Sequence, residues 1–483
     1  MQGAWPVAEV RAAEARLMAR SPAGTLMARA AAAVAVAASS RLGFCYGARV
    51  LLLVGPGDNG GDALYAGALL AGRGVAVRAA LAVPDRVHAG GLAAFRRAGG
   101  LVVDLAECGG AAPGSSDLVI DGLLGIGARG PVREPLLPFV ELANSADAPV
   151  LAVDVPSGVD PDTGEVANAA VRAELTLCMG AFKPGLLVGA GRLHAGEVRL
   201  VDIGLGPELP EPAVRRLEPA DVAAALPRPG PADDKYSRGV VGVATGSDAY
   251  PGAALLSVGA ARLGGVGAVR YAGRAAAEVV RRWPETLVTA DVAGAGRVQC
   301  WTVGSGLGGG DQASSAVGAV LASDVPVVVD ADGLNLLAEN RSLRESMLIG
   351  RAAPTVLTPH DREFARLFGG TGGVGSDRLA AARRAADESG ATVLLKGFAT
   401  IVASPGGRCF VNPLGPPALA TAGSGDVLAG LIGSLLAAGV GPALGAAVGA
   451  YLHGMAGQRA AADGPVSAGD LLPALRAVIA EAR

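Results

Sequence analysis

Two α/β domains, each built on a mainly parallel sheet, are the fold expected from this chain, and three observations predict it. The 483 residues exceed the length at which one hydrophobic core keeps growing. Short, wholly apolar runs alternate with helical patterns in two separate blocks. Between the blocks lies one stretch dense in proline, with Pro207, Pro210, Pro212, Pro219, Pro227, Pro229 and Pro231, which suits a semi-rigid connector. The expected division is therefore a first domain over 1–205, a connector over 206–234 and a second domain over 235–483.

In the first block the runs Val50 to Val54, Val75 to Leu81, Leu101 to Asp104, Leu118 to Asp121 and Val150 to Asp154 read as buried strands. Helical segments such as Asp62 to Ala71 and Arg86 to Ala98 fall between them, and a helical preface, Val7 to Ser39, comes first. The second block repeats the scheme with Val240 to Thr245, Ala268 to Tyr271, Val298 to Val303, Val327 to Asp330, Val356 to Thr358, Val393 to Leu395 and Ile401 to Ala403. The long uncharged stretch Val427 to Gly457 is broken by Gly433, Gly439, Gly441 and Pro442, which favours a buried helix pair over a membrane span.

Composition narrows the function. With 51% hydrophobic, 18% charged and 4% aromatic residues, the cores must be built from Ala, Val and Leu rather than large rings. A net charge of -3 and no basic run give no general attraction for nucleic acid or anionic lipid, so any phosphate-bearing ligand must be held by local amides. The five cysteines are scattered and show no C-x-x-C spacing, which argues against a disulfide framework or zinc site and fits a reducing cytoplasm. No secretory leader is recognisable, because the Ala30 to Ala38 run is short and follows the acidic Glu9 and Glu14.

Three loops of the first block leave strand ends carrying oxygen-bearing side chains. The first, Gly55-Pro56-Gly57-Asp58-Asn59-Gly60-Gly61-Asp62, is a glycine turn opening a helix, where amides can approach a diphosphate. The others are Asp121 to Gly127 and Asp154 to Asp160. Such ends converge at one crevice of an open parallel sheet, so Asn59, Asp121 and Ser157 can meet around a hard monovalent cation. Taken singly, the carboxylates could merely cap turns or helices.

The order GPGDNGGDA, DGLLGIGARGP, VDVPSGVDPDTGEV and AFKPGLL, preceded by VRAAEARL and LMARAA, resembles the epimerase domain of the bifunctional NAD(P)H-hydrate repair enzymes across the whole block. The resemblance implies a Rossmann-like, doubly wound domain that inverts the hydroxyl-bearing carbon of the hydrated nicotinamide ring. It implies Asp154 as the acid/base group and potassium held by Asn59, Asp121 and Ser157. The substrate would be contacted by Asp58, Asn59, Gly60, Gly61 and Asp62, by the loop Gly125, Ile126, Gly127, Ala128, Arg129, Gly130 and Pro131, and by Asp154. Two departures stand out: Asp58 where the family usually has Asn, and Ala63 where it usually has Gly. Asp58 adds negative charge beside a diphosphate and should weaken binding unless the cation or Arg129 offsets it.

In the second block, Ala422-Gly423-Ser424-Gly425-Asp426 opens a helix with a glycine turn whose free amides suit a transferring phosphoryl group. Asp426 at that turn can take the proton of an attacking hydroxyl. A helix-capping Asp is the plainer alternative. Loops at Thr245 to Ser247, Val303 to Gly310, Val329 to Leu334 and Leu357 to His360 end strands on the same edge. A lone His360 after Pro359 is as readily a capping residue as a ligand contact. Taken together and in order, KYSRG, YPGAA, VDADGLNLL, LTPH, KG-x-x-T and GSGD resemble the ADP-dependent NAD(P)H-hydrate dehydratase, a ribokinase-like α/β fold, from Lys235 to Arg476.

By that resemblance Ala253, Gly306, His360 and Asp426 contact the hydrated substrate, while Lys396, Gly397, Phe398, Ala399, Thr400 and Gly425 hold the nucleotide, ADP with magnesium. Asp426 would deprotonate the ring hydroxyl, the nucleotide would phosphorylate it, and phosphate would leave with an adjacent proton. Ser305 and Ser424 stand where the family usually has Pro and Thr, and Ser305 should loosen its loop. The expected partners are NADHX, NADPHX and ADP, with no nucleic acid and no membrane, in a cytoplasmic homo-oligomer. Two other readings stay open: a vitamin kinase of the ribokinase superfamily, and a non-catalytic dinucleotide-binding first half.

Overall fold

Strand Arg49–Val54 is apolar beyond its first residue and buried along its length, as a central parallel strand must be. Its neighbours give the first sheet the order Leu101–Val103, Ala76–Leu81, Arg49–Val54, Leu118–Gly122, Val150–Val153, Leu175–Met179, Glu197–Val201, parallel throughout. Val50, Leu52 and Val54 enter one apolar core, while Leu51 and Leu53 enter a second on the opposite face. This alternation makes the unit doubly wound. The chain works outward from Arg49–Val54 to one edge and then returns to its other side at Leu118–Gly122. A crevice therefore opens between the carboxyl ends of these two strands, directly at the loops beginning Gly55 and Leu123.

This computed structural model describes residues 1–108, 116–345, 351–369 and 373–483. The chain divides into two compact units, one of Gly3–Ala213 and one of Val214–Arg483 together with Met1–Gln2. The expected helical preface is two helices, Val7–Met18 and Thr25–Leu42, and the helix expected from Asp62 already begins at Asp58. Two strands of the first sheet, Leu175–Met179 and Glu197–Val201, were not among those expected, because the first hides in a long buried run and the second is mostly exposed.

The second unit has the parallel order Leu287–Thr289, Ala268–Ala272, Val240–Ala244, Cys300–Val303, Val327–Val329, Thr355–Leu357, Thr392–Leu395. Thr400–Ala403 and Cys409–Asn412 then continue it antiparallel. Its own point of reversal lies between Val240–Ala244 and Cys300–Val303. The uncharged stretch is a pair of helices, Ser424–Ala437 and Pro442–Asp463, and among the described residues no helix is long and apolar enough to cross a membrane. Gly430 explains part of the glycine content: a Cβ there would stand 2.1 Å from the Ser257 carbonyl oxygen.

The proline-rich connector differs from the expectation. Within 206–234, Val214–Arg216 forms a strand beside Cys409–Asn412, and Pro219–Ala225 forms a helix entered through Glu218 and Asp221, which bond reciprocally as a capping box. Val222 and Leu226 join the second unit's core, and the Met1 ammonium pairs with Glu218 and Asp221. Proline at a first helical position starts a helix as readily as it stiffens a linker.

Gly55 is the tightest point at the first crevice, since a Cβ would lie 1.8 Å from the Leu123 carbonyl oxygen. Gly55→Ala should destabilise the first unit by about 1–3 kcal/mol through forced backbone displacement. Chemical denaturation followed by first-unit amide exchange measures this, and unchanged protection would show that the loop relaxes freely.

Candidate functional sites

At the first crevice, Asp121 ends strand Leu118–Gly122 with its carboxylate wholly buried. Oδ1 accepts from the Leu123 amide at 3.1 Å and the Ser157 hydroxyl at 2.7 Å, while Oδ2 accepts from the Ser157 amide at 2.9 Å. The Ser157 hydroxyl in turn accepts from the Leu124 amide at 2.9 Å. Asn59, in the first turn of helix Asp58–Ala71, donates its amide to the Leu124 carbonyl at 3.0 Å. Asn59, Asp121, Ser157 and the Leu124 carbonyl therefore form one connected cluster. All the donors to Asp121 are neutral, and burial pushes its carboxyl up to about 6 against their hydrogen bonds. A buried carboxylate without a cationic side chain, bordered by amide, hydroxyl and carbonyl oxygens, fits a hard monovalent cation. Ala63 packs against Gly122, where only the missing side chain leaves room.

Asp154 follows strand Val150–Val153 in a left-handed backbone conformation, φ 68°. Among the described residues only Ala331, φ 48°, shares a positive φ without being glycine. Both belong to strand-end loops of the candidate sites, where over-determined surroundings can hold a strained backbone. Asp154 Oδ1 accepts from the Lys183 ammonium at 2.5 Å and from the Met179 amide at 3.0 Å. Lys183 is fully buried and also donates to the Met179 carbonyl at 2.8 Å. Burial would lower the Lys183 pKa, but the Asp154 carboxylate overrides it and the result is a raised value.

Asp62 lies near this pair with Oδ1 buried and without a hydrogen-bond partner. Burial, then the charges of Asp154, Asp58 and Glu14, push its carboxyl up to about 8. The second loop is only partly at the site. Gly125 touches Asn59 and Gly127 lies under Arg11, whereas Arg129, Gly130 and Pro131 are exposed. Arg129 pairs with Asp160 at 3.2 Å and Asp162 at 2.5 Å. It is therefore committed elsewhere and does not offset Asp58 as expected.

In the second unit a cavity of about 820 Å³ is lined by Ala253, Gly306, Asp332, Arg366, Gly423 and Asp426 among others. That is room for a nucleotide-sized ligand. Asp426 sits in the first turn of helix Ser424–Ala437, and burial first, then the Asp330 charge, pushes its carboxyl up to about 7 against the pull of Lys396 and Ser305. Lys396 donates to Asp330 at 2.8 Å and lies 3.6 Å from Glu363. Asp330 also accepts from Thr358 at 2.7 Å and from Ser305 at 3.1 Å. Although Asp330 is buried, Lys396 and these donors hold its carboxyl below the usual value. A Cβ on Gly425 would stand 3.4 Å from the Lys396 nitrogen and 3.6 Å from Asp330, so this network faces the amides that open the helix. Ser424 meets His453 at 3.1 Å inside the core.

Two expectations are corrected. His360 does not line the cavity: its Nδ1 accepts from the Arg362 and Glu363 amides, Glu363 returns a bond to its backbone, and the residue caps helix Asp361–Phe368. Ser305 does not loosen its loop, being buried and bonded to Asp330. Sequence reasoning quoted AFKPGLL and VRAAEARL but gave Lys183 and Glu14 no role. A single lysine amid the buried residues Leu175 to Val188 was the available signal.

Comparison with known proteins places the chain in a family. The chain is 47% identical over 493 aligned residues, covering 99% of it and all of the relative, to a bifunctional NAD(P)H-hydrate repair enzyme of Mycobacterium leprae. It belongs to the bifunctional NAD(P)H-hydrate repair enzymes. A Mycobacterium tuberculosis member is 48% identical over 90% of this chain and 89% of its own, and a Gloeobacter violaceus member 39% identical over 94% and 93%. The family model described as NAD(P)H-hydrate dehydratase matches residues 241–479, and that described as YjeF-related protein N-terminus matches 23–185. A crystal structure of ADP/ATP-dependent NAD(P)H-hydrate dehydratase from Bacillus subtilis, co-crystallised with ATP and magnesium, is 27% identical over 55% of this chain and 98% of its own, with a TM-score of 0.49.

In this family member the cluster of Asn59, Asp121 and Ser157 and the Asp426 cavity each sit at the reversal point of their own sheet. The Lys396–Asp330 pair can be tested alone. Lys396→Met should destabilise the second unit by roughly 3–5 kcal/mol, because it strands a buried carboxylate. Urea unfolding measures this, and a loss below about 1 kcal/mol would mean that water reaches Asp330.

Proposed function

We propose that the first unit interconverts the R and S epimers of hydrated NAD(P)H and that the second unit dehydrates the S form with ADP, giving NAD(P)H, AMP and phosphate. The observation that carries this reading is the position of Asp426, which lines the cavity with Ala253, Gly306 and Gly423 in the helix-opening turn and follows Gly425, where a Cβ would stand 3.4 Å from the Lys396 nitrogen. A base that touches both a substrate pocket and an anion nest suits phosphoryl transfer to an alcohol. The Asp426 carboxylate takes the ring hydroxyl's proton as that oxygen attacks the terminal phosphorus of ADP, and AMP leaves. The phosphate ester then departs with loss of a proton from the adjacent carbon, restoring the dihydropyridine. The Gly423 and Gly425 amides at the helix opening and the Lys396 ammonium are the groups that can stabilise the transferring anion, the Ser424 amide being bonded to the Thr421 carbonyl.

Magnesium would neutralise phosphate charge when it enters with the nucleotide. Among the described residues no three acidic, His or Cys side chains are placed to hold a metal ion together, and a donor set this sparse suits an ion held mainly by phosphate and water oxygens. Lys396 to Thr400 and Gly425 are the nucleotide-side segment in this reading, with Gly397 and Phe398 exposed beside it. His360 serves the substrate only through the helix that it caps. NADHX, NADPHX and ADP are the partners, and the five free thiols suit a reducing, cytoplasmic setting.

In the first unit Asp154 is the acid/base group, and Asn59, Asp121, Ser157 and the Leu124 carbonyl would hold potassium, which supplies positive charge beside a diphosphate-bearing substrate. Asp58, at the start of helix Asp58–Ala71, adds a negative charge to the same loop.

Asp426→Asn should abolish release of reduced nicotinamide, read at its absorbance, while nucleotide still binds; near-normal turnover would remove Asp426 from the reaction. Wild-type turnover should rise through about pH 7 as Asp426 ionises. Its folded-state carboxyl holds a proton to about 7 but releases it near 3.8 when unfolded, so stability falls as pH rises between those values. Asp426→Asn should accordingly raise the melting temperature at pH 8, where wild type carries the full penalty. Potassium should accelerate interconversion of the epimers by the full chain, and Asp121→Ala should remove that response; a variant still stimulated by potassium would move the ion elsewhere.

A further inference from the structure

Four carboxyl groups and one ammonium are gathered at the first crevice. Asp58 and Asp62 are one turn apart on helix Asp58–Ala71, Glu14 comes from helix Val7–Met18, and Asp154 comes from its strand end with Lys183 against it. Each of Asp62 and Glu14 feels the charges of Asp58 and Asp154. The other charged or titratable groups nearby are Arg11, which acts on Glu14, the buried Cys178 thiol, 3.7 Å from the Lys183 ammonium, and the His88 ring, packed against Gly61. Lys183 does not serve these carboxyls equally. Among these carboxyls it donates only to Asp154, and both Lys183 and the Met179 amide donate to the same oxygen, Oδ1. Asp62 is the opposite case, with a buried Oδ1 that no donor satisfies.

Two carboxyl groups facing one site, one locked to a cation and the other left without donors, divide into an ionised base and a neutral acid. Resting on the epimerase reading above, we propose that Asp62 is the proton donor of the epimerisation and that Lys183 is the positioning residue that keeps Asp154 its ionised counterpart. Asp62 thereby gains a specific role beyond lining the substrate loop. Burial together with the surrounding negative charges, which raises its carboxyl to about 8, keeps the proton available at neutral pH.

The chemistry needs such a pair. The hydroxyl-bearing carbon of the hydrated ring is also bonded to the ring nitrogen. Asp154 removes the hydroxyl proton, the oxygen's electron pair forms a carbonyl, and the carbon–nitrogen bond breaks with its pair moving to nitrogen. Asp62 delivers its proton to that nitrogen, so the opened ring is a neutral aldehyde and a conjugated amine. A half-turn about the adjoining carbon–carbon bond presents the other face of the carbonyl. Closure then reverses each step: nitrogen attacks, its proton returns to Asp62, and Asp154 returns a proton to oxygen. Atoms and electrons balance with no oxidant, reductant or co-reactant.

The test uses the full chain with potassium, one pure epimer, and chromatographic measurement of interconversion across pH. Wild-type kcat should fall above about pH 8 as Asp62 loses its proton. Asp62→Asn should lower kcat by about 10²-fold or more with little change in KM, and should erase that alkaline fall. Lys183→Met should lower kcat by about 10-fold or more with little change in KM, and Lys183→Arg should recover part of that loss. A melting temperature for Asp62→Asn at or above that of wild type at pH 7, where the variant is relieved of the cost of burying this carboxyl, confirms that the loss is chemical. Near-wild-type kcat in Asp62→Asn, a loss confined to KM, or a kcat unchanged by Lys183→Met would each overturn the proposal. Wild-type protein that leaves the epimer unchanged above the spontaneous rate would instead overturn the epimerase reading itself.

Discussion

A carboxylate taken out of water loses several kcal/mol of hydration, and something in the fold must answer for that loss. Both units are organised around different answers to it. Asp154 and Asp330 receive an ammonium group from Lys183 and Lys396. Asp121 receives only neutral donors and is left short of positive charge. Asp62 and Asp426 receive too little and are held toward the protonated form instead. The same side chain thus meets an ammonium partner, neutral donors only, or too few donors to hold its charge, according to its neighbours.

Where these groups meet is set by sheet topology rather than by any local motif. In both sheets the chain runs outward from a central strand and returns on its other side, opening a crevice at the carboxyl ends. In the first unit that crevice collects Asn59, Asp121 and Ser157 from three separate loops. In the second it collects Gly246 and Ser305, joined by a 2.7 Å backbone hydrogen bond, alongside the Asp330 network. The left-handed backbones at Asp154 and Ala331 mark the same edges, where the chain must turn sharply between a strand and a charged loop.

Much of this was legible in the sequence because buried parallel strands are unbroken apolar runs and their polar ends stand out. Arg49–Val54, Leu118–Gly122 and Val240–Ala244 announced themselves in that way, as did the glycine turns that follow. The contribution of Lys183 was hidden because a lysine's partner lies far away in sequence, here 29 residues upstream. His360 was ambiguous for a related reason, since its ring nitrogen can serve a ligand or the two amides beyond it, and only the backbone geometry decides. The connector misled because proline density marks both extended linkers and helix starts, and Val214–Arg216 is too short to carry a pattern of its own.

That short strand has a practical consequence for anyone dissecting the protein. An excision beginning at Lys235 would strip away the neighbour of Cys409–Asn412 and bare its outer margin, while removing Val222 and Leu226 from the core they help to fill. Such a fragment would present an unpaired ribbon ready to recruit a strand from another molecule. Its clumping in solution would then reflect where the knife fell, not how well the enzyme folds.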